Sequence, residues 1–365
     1  MMGGTDERPL QDISVLEITD ELTEYAGWLL AELGATVTRV RLPEASDAAE
    51  WWPLNLPKAL VELDPHTPEG EIAMADLIAA SDVIVQPGGG DGPAIAQLDP
   101  ATLAERRPDL IQAILSPFGL GGPKSSYGST DLVRLAAGGL LWLGGYADAE
   151  PVAPYGNQSA LCTAIFGAIA VLLATIERDR TGRGSTIDVS AQEVMVQALE
   201  TSLAEYELLG RVRRRVGGAP REAGTGIYRC ADGYVSMVAG RLGTASAWRR
   251  LREWMVEEQV SGAEQLLDEE WESLDFRQRP DSIERFGGLF AAFIANRSKS
   301  ELYAEAQRRS IALAPVNTPA EVRHDPQLAA RGFFREVTHP ETGDRAVVPS
   351  APYRGGPVPA TVVHP

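Results

Sequence analysis

The N-terminal segment constrains the fold most. Ser14-Val-Leu-Glu-Ile-Thr19 reads as a strand, and Tyr25 to Leu33 carries apolar residues at helical spacing. Gly34 is placed to end that helix. Ala35-Thr-Val-Thr-Arg-Val40 is a second strand, rich in β-branched residues. Strand, helix and strand in this succession make a β-α-β unit, whose strands run parallel because the helix carries the chain back.

The pattern continues. Pro68 to Ala80 is a helix with Pro68 and Glu69 at its start, followed by the strand Asp82-Val-Ile-Val85. Leu110-Ile-Gln-Ala-Ile-Leu115 and Thr186-Ile-Asp-Val-Ser190 are further strands, and Ala191 to Leu209 is a long helix. The first part, residues 1–210, is therefore α/β and doubly wound in character. Residues 211–226 are basic and Gly-rich and read as a linker. From 227 to 313 the pattern changes. Two strands, Gly226–Cys230 and Tyr234–Val238, hinge on Ala231-Asp-Gly. Helices carrying Trp248, Trp254, Trp271, Phe286 and Phe290 follow, which gives a smaller α+β domain. The tail from Pro315 reads as Pro-rich and extended.

A chain of 365 residues fits two domains, or one large domain with an insertion. Apolar residues at 44% and charged residues at 23% exclude disorder, collagen and a disulfide scaffold. The net charge of −18 repels phosphate backbones and anionic lipids, so no nucleic acid and no membrane partner is expected. Two cysteines, Cys162 and Cys230, and four scattered histidines offer no metal-ligand spacing. A polar N-terminus with no apolar core points to a reduced, cytoplasmic setting. The apolar stretch from Leu161 to Ile176 is short of the ~20 residues a membrane span needs, and reads as a buried core helix.

Isolated motifs say less. Gly88-Gly-Gly-Asp-Gly92 follows a strand and reads either as a phosphate loop or as a surface loop; it lacks the Lys-Ser/Thr of a P-loop. Ser116-Pro-Phe-Gly-Leu-Gly-Gly-Pro123 leaves a strand where ligands bind in open α/β sheets, or it is a structural crossover. Thr181-Gly-Arg-Gly184 reads as a helix C-cap. There is no G-x-S-x-G and no H-E-x-x-H. Cys162 falls on the buried face of its helix, where packing is its expected role.

Taken together, several segments resemble one family, the family III CoA-transferases of the CaiB/BaiF group, which also includes the α-methylacyl-CoA racemases. The matching segments include Val15–Thr19, Leu29–Val37, Leu63–Gly70, Phe118–Pro123 with Asp131-Leu132, and Glu177–Gly184 with Asp188–Ser190. Tyr228 with Ala231–Tyr234, Pro315–Asn317 and Asp325–Gly332 complete them, in order and with compatible spacing. The resemblance implies a Rossmann-like large domain built from both chain ends, so that 314–365 returns to it, and two ring-shaped subunits interlocked as a dimer. It also implies a chemistry. An aspartate attacks an acyl-CoA carbonyl to give a mixed anhydride and free CoA thiolate. The thiolate then attacks the aspartyl carbonyl, releasing the donor acid and leaving an enzyme-CoA thioester, and an acceptor acid is loaded by the reverse steps. No permanently bound cofactor is implied: CoA and acyl-CoA enter as substrates, with a small carboxylic acid as co-substrate.

Counting from Thr181–Gly184 and, separately, from Asp131 puts the family's nucleophile at Ala160. A methyl group cannot form an anhydride, and nearby Gln158 can hydrogen-bond but is no nucleophile. The nearest carboxylates in sequence are Asp148 and Glu150. The racemases' acid/base histidine falls at Thr130, and an arginine that often follows the second strand falls at Leu42. The remaining candidates for CoA are Arg39, Arg41, Asn55 and Lys58, with Phe118 and Gly119. Two readings follow: a divergent CoA-transferase, alone or of altered mechanism, or a silent subunit whose homologous partner supplies the aspartate. A homodimer and a heterodimer are both open.

Overall fold

The structure is a computed structural model that describes residues 8–43, 52–89, 95–239 and 245–353. It divides into two units: 1–145 with 149–215 and 329–365, and 146–148 with 216–328.

The large unit is wound around a six-stranded sheet. In chain order its elements are β1 (Ser14–Ile18), α1 (Glu24–Glu32), β2 (Thr36–Arg41), α2 (Trp52–Asn55), β3 (Ala59–Glu62), α3 (Pro68–Ala79) and β4 (Val83–Pro87). There follow α4 (Pro100–Arg106), β5 (Ile111–Ser116), α5 (Asp131–Ala137), α6 (Leu140–Leu143), α7 (Gln158–Thr181), β6 (Ser185–Ser190), α8 (Ala191–Gln197) and α9 (Glu200–Leu209). The strand order is β3-β2-β1-β4-β5-β6, all parallel. Leu16 of β1 aligns with Thr38 of β2 on one side and Ile84 of β4 on the other. The order reverses between β1 and β4, and open sheets of this winding bind ligands outside the carboxyl ends of the strands at such a reversal. β1, β4 and β5 are buried nearly throughout, as strands covered on both faces are. One apolar cluster, with α1, α7 and α8, covers one face; a second, with α3 and α4, covers the other.

The smaller unit contains β7 (Thr225–Cys230), β8 (Gly233–Val238), α10 (Ala245–Glu257), α11 (Leu274–Arg277), α12 (Pro280–Ile294), α13 (Lys299–Arg308), β9 (Leu313–Val316) and α14 (Pro319–Arg323). Its sheet is antiparallel in the order β7-β8-β9. Trp248, Trp254, Trp271, Phe286 and Phe290 are all buried in one core. α15 (Pro326–Ala330) then leads to an antiparallel hairpin in the large unit, β10 (Phe334–Thr338) and β11 (Arg345–Pro349).

Four details differ from the sequence expectations. The short edge strand β3 is an addition. The helix expected over Ala191–Leu209 breaks at Ala198–Leu199, where both amides bond three residues back and Leu199 packs over Gly139. The segment expected as a linker is shared out, since Glu222 and Ala223 are fully buried in the smaller unit. The tail is not extended: β9 completes the small sheet, Thr318 and Glu321 form a capping box over α14, and the return to the large unit falls near 329 instead of 314.

Candidate functional site

In a parallel sheet every strand ends on the same edge, and helices that run back begin there. The carboxyl edge therefore carries the β1–α1 loop, the loop after β5, and the N-termini of α5 and α7. Two residues fix how these meet. Asp131, at the start of α5, accepts hydrogen bonds at one oxygen from Ser159 N at 2.8 Å, Ser159 Oγ at 2.6 Å and Ala160 N at 3.4 Å. It caps α7 from another element, because Asn157 at the N-cap makes no side-chain bond there. Arg134, one turn on and 1% exposed, donates to Ser159 Oγ at 2.9 Å, Ser129 Oγ at 3.0 Å and Glu21 at 2.6 Å. Glu21 lies in the β1–α1 loop. Beside it Asp20 accepts from Leu22 N at 2.8 Å, and burial pushes its carboxyl up.

Ala160 sits at the centre of this arrangement, 2% exposed, with its methyl in the core cluster that covers the sheet. The carboxylate closest to it in this network is Asp131, which lies 29 residues away in sequence. Asp148 and Glu150, the nearest in sequence, are exposed, whereas Ala160 is buried, and Gln158 turns back to bond the Tyr155 carbonyl at 2.9 Å. One turn into α7, Cys162 is half-buried, and burial followed by the Asp131 charge raises its thiol.

The candidates for CoA divide into two groups. Asn55 and Lys58 face inward. The Lys58 ammonium, its side chain fully buried, donates to Glu17 at 2.7 Å and to the Glu24 carbonyl at 2.7 Å, while Asn55 bonds the Glu24 carboxylate. Burial raises the Glu17 carboxyl, with Lys58 and then Arg39 opposing. Arg39 is itself buried in mid-strand. Gly27 gives this network its room: a Cβ there would lie 1.7 Å from Glu17 Oε2. Arg41, by contrast, lies at the carboxyl end of β2, partly exposed and paired with Glu62.

Phe118 and Gly119 lie just past the carboxyl end of β5. Phe118 packs edge-on against Tyr127, under the Lys124 ammonium. Gly119 has φ +89°, and its amide donates to Ser116 Oγ at 2.9 Å, while Leu120 N donates to Asp188 at 2.9 Å. The structure thus places Arg41, Phe118, Gly119 and Ala160 on one edge, and gathers Arg39, Asn55 and Lys58 into an internal ion network. Of the Gly88–Gly92 loop, Gly88 and Gly89 are described and the rest lies outside the described residues. Among the described residues no three His, Cys, Asp or Glu side chains are grouped to hold a metal ion.

A family model described as CoA-transferase family III matches residues 10–365. The succinyl-CoA:(R)-benzylsuccinate CoA-transferase subunit BbsE of Thauera aromatica is 30% identical, over 95% of this chain and 88% of its own length. The succinyl-CoA–L-malate CoA-transferase alpha subunit of Chloroflexus aurantiacus is 26% identical, over 99% and 86%. The crystal structure of a CAIB/BAIF family protein from Brucella suis superimposes with a TM-score of 0.80 at 24% identity, covering 95% of this chain and 93% of that one.

Proposed function

The chain belongs to CoA-transferase family III, and on that premise we propose that it is the nucleophile-free subunit of a CoA-transferase, completed by a homologous chain that supplies the aspartate. The observation that carries this reading is the side chain at 160: a buried methyl at the N-terminus of α7, where the family resemblance places the attacking carboxylate. On this reading Asp131 is a positioning residue, one of whose oxygens holds Ser159 and Ala160 in place. Two relatives that match nearly the whole chain carry "subunit" in their names, which supports a chain that works beside another.

The substrate class on this reading is an acyl-CoA thioester with a small carboxylic acid. The CoA is assigned to the carboxyl edge, running from Arg41 toward the Phe118–Gly119 turn. With parallel strands ~4.8 Å apart, β2 and β5 are separated by roughly 14 Å, a span for an extended ligand and not for a single phosphate. Asn55 and Lys58, turned toward Glu17 and Glu24, serve the fold in this assignment.

The test is intact-protein mass spectrometry after incubation with succinyl-CoA, the donor in the names of both relatives. The isolated chain is expected to gain no covalent CoA. Mixed with a homologous chain that has aspartate at the position of Ala160, the adduct should appear on that chain alone. A CoA thioester on the isolated chain overturns the reading, and mapping it to Asp131 would establish a chain acting by an altered mechanism.

A further inference from the structure

The hairpin β10–β11 meets α1 and α2 within the large unit without closing the space between them. Arg335 on β10 pairs with Glu32 on α1, and the His339 ring just past β10 stands edge-on to the Trp52 ring of α2 at 5.2 Å. With the three elements tied in this way, a cleft of about 240 Å³ remains. Its composition defines what fits. Tyr25 and Trp28, neighbours on one face of α1, stack with ring centroids 5.1 Å apart and planes 15° apart, and so offer aromatic surface. Pro53, Leu54, Phe333 and Val348 add apolar lining, and no residue that lines the cleft is charged. A cation finds no carboxylate there, and a net charge of −18 repels an anion. The side-chain oxygens of the lining are hydroxyls. Among the described residues, those of Tyr25 and Ser350 make no hydrogen bond. Burial pushes the Tyr25 phenol up, which keeps it a donor.

We propose that this cleft binds a neutral, flat heteroaromatic molecule with a hydrogen-bond acceptor in its ring. Size follows from volume. An apolar cavity of about 150 Å³ takes up benzene, so about 240 Å³ suits roughly ten non-hydrogen atoms, a fused pair of rings. Flatness follows from the stacked wall, which rewards ring faces and edges over a bulky aliphatic group. The acceptor follows from the two hydroxyls, either of which can donate to it. The site goes beyond the transfer reaction proposed above and does not depend on it: CoA carries phosphates, and the lining holds no cation to receive them.

Quinoline, uncharged at pH 8, is the probe, and naphthalene has the same shape without the ring nitrogen. Saturation-transfer NMR titrations with the full chain should give quinoline a dissociation constant below about 1 mM and naphthalene one about threefold higher. The anion 2-naphthoate should bind about tenfold more weakly than quinoline. Ser350→Trp fills the cleft and should weaken quinoline about tenfold. Ile72→Trp, on α3 at a site 66% exposed, is the matched control and should leave binding unchanged. Tyr25→Phe keeps the ring and loses the donor, so quinoline should weaken about fivefold and naphthalene not at all. Melting curves that match the native chain certify each variant as folded. If Ser350→Trp unfolds, the Tyr25→Phe contrast decides. No saturation transfer to either neutral probe, equal quinoline binding in the native chain and both cleft variants, a preference for 2-naphthoate, or displacement of quinoline by CoA would each overturn the proposal.

Discussion

The Lys58 ammonium and the Glu17 carboxylate hold each other in a place neither could occupy alone. Both side chains are fully buried, so Lys58→Met leaves an ionised carboxylate without its main counter-charge and with only the weaker pull of Arg39, a change that costs about 3–5 kcal/mol. Denaturant melts should show that loss at pH 7. Burial already raises Glu17 above the ordinary carboxylate range. In the variant, protonating Glu17 stabilises the folded state, so the deficit should shrink as pH falls below 7 and be smallest below the unfolded pKa of about 4.3. A deficit that is flat with pH would exclude Glu17 as its source. Arg41→Ala makes the contrasting case: it should weaken CoA binding in calorimetry while moving the melt by less than about 1 kcal/mol. The sequence marks Lys58, Asn55 and Arg39 as candidates because it shows their type and spacing. It does not show which way they point, since the acids that claim them, Glu17 and Glu24, are 41 and 31 residues away. That Asp131 neighbours Ala160 was not legible, because capping from a second element leaves no local signal.

Among the elements, α7 and its turn into β6 depend on glycine at one position in particular. A Cβ at Gly184 would sit 1.9 Å from the Leu110 carbonyl oxygen, a backbone atom that cannot swing away. Gly184→Ala should therefore cost about 1–3 kcal/mol by forcing β6 off β5. Gly182→Ala, two residues earlier, meets nothing in space and should lose only the αL preference, about 1 kcal/mol. Equal melts for the two would refute this account of the turn. The strands β1, β4 and β5 were readable as apolar runs, and β2 and β6 by β-branched residues alternating with polar ones. β3 was not: Ala59–Glu62 is only four residues long and mostly exposed, and it pairs because β2 offers it an edge. The break in the helix after Gln197 was equally hidden, since neither Ala198 nor Leu199 is a helix-breaking residue.

For the molecule as a whole, acid should act through paired carboxylates. In the smaller unit the Lys299 ammonium, with the Thr318 amide and hydroxyl, pulls Glu321 down to about 2. A lowered carboxylate contributes stability above its unfolded pKa of about 4.3 and loses it as pH falls toward its folded value. Melts of the intact chain against Glu321→Gln should thus differ at pH 6 and converge between pH 4 and 2. A difference that persists at pH 2 would assign the effect to packing. The change of character after residue 226 was visible in sequence as a shift to aromatic helices. The exact division was not, because the segment around Glu222 looks like a linker by composition and is buried by its partners, with Ala223 N bonded to the Arg277 carbonyl at 2.9 Å.

The large unit is closed by its two ends: Arg335 pairs with Glu32 across 303 residues, and Tyr353 reaches the Leu29 carbonyl across 324. A ribosome adds roughly 5–20 residues per second, so α1 waits roughly 15–60 s for the hairpin that covers it. During that interval the nascent β1–α1–β2 segment shows Tyr25 and Trp28 to whatever is near. Synthesis speed between these two points, and any stop codon before β10, therefore bear on whether this protein reaches its folded form at all.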